Sequence, residues 1–69
     1  MTEELVRNLA IEKTRELFPQ LEVDNPSYFM ELVRTATNTI VNDYDLNILG
    51  SESHVKELIE LDLRNIQGV

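Results

Sequence analysis

Apolar residues recur at three- and four-residue intervals in three stretches of this chain, set apart by Pro19, Pro26 and Gly50. That spacing places each stretch's apolar groups on one side of a helix, whereas a strand would need strict alternation. It predicts helices over about 3–18, 26–43 and 53–66. The fold class expected is all-α: a compact three-helix domain, a small helical bundle with no sheet, formed by residues 1–69 as one unit.

In the first stretch Thr2 is the candidate N-cap, Glu3 and Glu4 suit the positive end of the helix dipole, and Pro19 ends the helix. Its apolar residues are Leu5, Val6, Leu9, Ala10 and Leu17, with Ile11 and Phe18 to one side. The second opens with Asn25-Pro26, a capping side chain followed by a residue that needs no donor in the first turn. There Phe29, Leu32, Val33, Ala36, Ile40 and Tyr44 fall within one half of the wheel, opposite Glu31, Arg34, Thr35, Asn38 and Asn42, and Ser27 and Tyr28 begin the solvent side. This helix is expected at the centre. The third follows Ser51 or Ser53 as N-cap, with Gly68 near its C-terminal cap position. Its arc of Val55, Leu58, Ile59, Leu61, Leu63 and Ile66 spans more than half the wheel, so it needs more than one neighbour.

Charge changes the picture of partners. Thirteen acidic residues against six basic ones give a net charge of −7. Such a field repels phosphate backbones and favours basic surfaces. A helix-turn-helix reading fails on the same ground, because the third helix carries Glu52, Glu57, Glu60 and Asp62 against Lys56 and Arg64 alone. No direct nucleic-acid partner is expected, and no membrane partner, since no apolar run approaches the roughly 20 residues of a spanning helix. The sequence starting Met1-Thr2-Glu3-Glu4 shows no secretory leader, and cytoplasmic residence is expected. Acid-first pairs at four-residue spacing, Glu3 with Arg7, Glu52 with Lys56 and Glu60 with Arg64, mark solvated stripes.

Candidate chemistry fails residue by residue. With no cysteine there is neither a thiol nucleophile nor a thiolate metal site. Asp43-Tyr44-Asp45-Leu46-Asn47 copies the opening of a calcium-binding EF-hand loop, but Ile48 stands where the loop needs glycine and His54 where a bidentate Glu should close it. His54 is the one histidine, with no residue that spacing obliges to orient it. The expectation is a non-enzymatic protein with no cofactor and no metal.

Two polar residues interrupt apolar faces: Lys13 between Leu9 and Leu17, and Asp62 within the arc of the third helix. Each is a candidate buried polar group, costly unless paired, and reads either as a seam residue whose end reaches water or as a contact fixing register. Apolar groups also exceed what 69 residues readily enclose. Ile11, Phe18, Leu46, Ile48, Leu49, Leu61 and Leu63 are the candidate interface residues. The function expected is an acidic protein-interaction module, an adaptor or small regulator, with a homodimer or an assembly subunit as the alternative. A further alternative is an acidic mimic of nucleic acid that blocks a basic protein surface.

Overall fold

The computed structural model describes residues 1–67, and Gly68, expected near the last cap, lies outside them. Four helices account for 78% of the structure: α1 (Glu3–Leu17), α2 (Leu21–Asp24), α3 (Pro26–Asp43) and α4 (Glu52–Ile66). Among the described residues there is no strand.

Each long helix starts where a short polar side chain can satisfy an orphan amide. The Leu5 N–H donates to Thr2 Oγ1 (3.1 Å), the Tyr28 N–H to Asn25 Oδ1 (3.2 Å) and the His54 N–H to Ser51 Oγ (3.2 Å). Such a cap contributes about 1 kcal/mol. Ser51, not Ser53, is therefore the cap of α4.

The connection between the first two long helices is not a simple loop. Pro19 disfavours a helical conformation at Phe18, whose φ of −132° and ψ of 72° end α1. The chain then turns through the single-turn α2, which packs on α3. Periodicity could not announce so short a helix. Arg15 braces it by donating Nε and Nη2 to the two carboxylate oxygens of Glu22 (2.8 and 2.9 Å).

α3 packs against all three other helices, as its central place in the sequence pattern required, and α1 also packs on α4. At the end of α4, Gln67 Nε2 donates to the Tyr28 hydroxyl at the start of α3. These two helices run antiparallel, and Tyr28, expected on the solvent side, is half-buried. Glu12 and Lys13 of α1 meet Lys56 and Glu60 of α4, so those two run in the same sense.

One core fills the space between them: Val6, Leu9 and Ala10 from α1, Phe29, Leu32, Val33, Ala36 and Ile40 from α3, and Val55, Ile59 and Leu63 from α4. Two threonines share it. Thr14 and Thr37 are fully buried, and each hydroxyl donates to the carbonyl one turn earlier, Ala10 (2.6 Å) and Val33 (2.7 Å). Closing that bond within the helix removes most of the cost of burying a hydroxyl. No helix among the described residues is long and apolar enough to cross a membrane.

Candidate functional site

The expected interface residues divide on inspection. Leu63 is 0% exposed and belongs to the core, which corrects its assignment to a surface. The cause is helical geometry. Leu63 continues the four-residue row of Val55 and Ile59, while Leu61, two residues earlier, points about 200° away around the helix. Leu61 is 61% exposed. Ile11, Phe18, Leu46 and Leu49 are half-buried and pack against the core, so they cover it and do not form a free patch. Ile48, at 79% exposure, stands out from the loop before α4. Phe18 also lines a hollow of about 180 Å³ with Leu17, Arg64 and Gln67 at the far ends of α1 and α4.

A second hollow, of about 130 Å³, lies between α3 and α4. It is lined by Thr39, Ile40 and Tyr44 from one side and by Leu58, Leu61, Asp62 and Asn65 from the other. Both volumes fall short of the several hundred Å³ typical of small-molecule sites. Tyr44, expected on the apolar face of its helix, is instead its C-cap and is 41% exposed. It shares the rim of this groove with Leu61.

Within the groove Asp62 is half-buried, and its Oδ2 is covered yet has no hydrogen-bond partner. Thr39 is the near hydroxyl, but it donates to the Thr35 carbonyl (3.0 Å). Burial pushes the Asp62 carboxyl above its ordinary value; the Thr39 hydroxyl opposes the rise, and the negative charge of Asp43 adds to it. The protein therefore prefers Asp62 protonated more than the unfolded chain does. That preference stabilises the fold fully below the unfolded value of about 4 and is lost as pH rises through the raised folded value. At neutral pH the ionised carboxylate costs stability. Asp62→Asn should accordingly be more stable at pH 7 by at most about 1 kcal/mol, after allowing for water reaching the groove. The gain should shrink as pH falls through the raised folded value and vanish below about pH 4. Thermal denaturation across pH measures this, and an equal offset at pH 7 and pH 3 would refute it.

Lys13 answers the other question about buried polar groups. Its side chain lies in the seam between α1 and α4, and Nζ reaches Glu60 Oε1 (3.2 Å) and Glu16 Oε1 (3.3 Å). Burial pulls its pKa down, but the hydrogen bonds and charges of Glu60 and Glu16 outweigh it and the net shift is upward. Glu60 is held below its ordinary value, first by Lys13 and then by Arg64, which pairs with it at 3.0 Å. Of the expected one-turn pairs, Glu3 with Arg7 (3.2 Å) and Glu60 with Arg64 form. Lys56 instead crosses to Glu12 on α1 (3.5 Å) in place of Glu52.

The acidic stretch after α3 is a turn held by its own side chain: the Asn47 N–H donates to Asp45 Oδ1 (2.9 Å). Among the described residues no group of three or more His, Asp or Glu side chains assembles into a metal site. His54 is exposed at the start of α4. Comparison with protein families, curated proteins and solved structures finds no match for this chain.

Proposed function

We propose that the chain is a non-enzymatic protein-interaction module, an adaptor or small regulator, which docks a partner on the groove between α3 and α4. In this reading the three long helices act as a bundle that holds the groove rigid. The observation that supports it is Leu61: a large apolar side chain standing 61% exposed beside the exposed Tyr44, over a concave surface floored by Ile40 and Leu58. Apolar and aromatic groups around a depression are the usual anchors of protein recognition. Ile48, on the loop before α4, adds a further exposed apolar group on that connection.

The test is affinity capture from native lysate with wild type and Leu61→Glu side by side. A protein held by the wild type and lost with the variant supports docking at the groove. Identical captures overturn it. Sedimentation of the wild type distinguishes the assembly alternative, since a homodimer or larger particle shows a mass that rises with concentration and falls back with Leu61→Glu.

A further inference from the structure

We infer that the groove between α3 and α4 takes a cationic side chain, an arginine above all, projected from an apolar segment of a partner protein. The inference rests on the docking role proposed above and adds the partner's chemistry. It starts from Asp62, whose covered Oδ2 has no partner although it sits among groups that could have supplied one. The Thr39 hydroxyl is committed to its own helix, neither Tyr44 nor Asn65 of the same lining bonds Oδ2, Asp43 adds a second negative charge, and Leu58 and Ile40 offer nothing polar. A covered carboxylate oxygen without a donor is costly, and a donor from outside would relieve that cost.

The chain does not furnish the donor itself. Arg7, Lys13, Arg15, Lys56 and Arg64 are all engaged in ion pairs away from the groove's lining carboxylate. Of the lysines and arginines among the described residues Arg34 alone has no ion pair, and it does not line the groove. A second copy, with net charge −7 and all but one of its lysines and arginines engaged, is a poor complement, whereas a basic partner is attracted by the whole field.

The dimensions fit one side chain. About 130 Å³ is too small for a cofactor and about the room that an inserted residue fills. An arginine stem would lie along Leu58 and Ile40, its guanidinium would meet Asp62 with two parallel donors, and the exposed Tyr44 ring offers a face to stack on. Leu61 at the rim would cover the apolar residues flanking the arginine.

The experiment selects binders to the wild-type protein from a random-peptide display library and measures the enriched peptides against wild type, Asp62→Asn and Leu61→Ser. The expected consensus is an arginine flanked by apolar residues. Asp62→Asn should weaken such peptides by roughly ten- to hundredfold, with helicity by circular dichroism unchanged. Replacing the peptide's arginine by citrulline should weaken wild-type binding comparably and leave Asp62→Asn nearly indifferent. Peptides that depend on Leu61 but not on Asp62 would overturn the cationic chemistry and leave the docking role standing. Failure to select any peptide sensitive to Leu61 would overturn both, and so would a wild type whose groove is closed by self-association that Leu61→Ser disrupts.

Discussion

Leu63→Glu is expected to unfold the protein, while Leu61→Glu, two residues away, should leave it as helical as the wild type. Leu63 is fully enclosed beside Val55 and Ile59. The substitution removes a packed side chain, about 2–5 kcal/mol, and leaves a carboxylate without a partner, several kcal/mol more. A core of this size supplies only about 3–5 kcal/mol. At position 61 the new carboxylate reaches water. The like charge of Glu57 one turn earlier costs a few tenths of a kcal/mol. Circular dichroism with chemical denaturation reads both, and a folded Leu63→Glu protein would mean that α4 does not present this row to the core.

Reversing the charge at Lys13 produces the second large loss. Lys13 is 9% exposed, and its ammonium lies between Glu16 and Glu60. Lys13→Glu would bring three carboxylates together in the seam between α1 and α4. Because Glu16 and Glu60 reach water, the expected destabilisation is about 2–3 kcal/mol, less than for a fully enclosed pair. Lys13→Met keeps the apolar stem, leaves Glu60 with Arg64, and should stay within about 1 kcal/mol of wild type. The contrast separates charge from packing. The signs of the two shifts also set the pH range. Lys13, raised on folding, contributes below the unfolded lysine value and loses that contribution as pH rises through the folded one. Glu60, lowered on folding, contributes above the unfolded glutamate value and loses it as pH falls through the folded one. The bridge thus works throughout the range from mildly acidic to mildly basic solution. Urea midpoints of the two variants at neutral pH check the ordering, and equal losses would show that the charge is immaterial.

Local signals were legible because they act within one turn. Asn25-Pro26 fixed the start of α3, and Thr2 that of α1, since a cap needs only its own amides. The apolar rows of α1 and α3 found most of the core. What sequence could not supply was the rotation of α4 about its axis, which depends on the crossing of three helices. Leu61 and Leu63 were both on the wide arc, and only packing decided which one is enclosed. The buried threonines were missed because a hydroxyl counts as polar. Their signal was present all the same, since Thr14 follows Ala10, and Thr37 follows Val33, by one turn on an apolar face. Of the groove, Asp62 and Leu61 stood out in the sequence, whereas Tyr44 was placed on the enclosed side and Thr39 and Asn65 carried no mark. Lys13 was legible as a polar residue in an apolar face, but its partner Glu60 lies on another helix that spacing does not bring near.

The seam that Lys13 closes also bears on how long the folded state persists. α1 and α4 are the first and last helices, so every contact between them must wait for the whole intervening chain to be gathered in. Helices next to one another in sequence meet sooner. Contacts absent from the folding transition state slow unfolding more than they speed folding. If the ion pair of Lys13 with Glu60 forms after the folding transition state, it acts as a latch on the finished molecule: removing it should leave the assembly rate nearly untouched and shorten the lifetime against proteases that must wait for the fold to open.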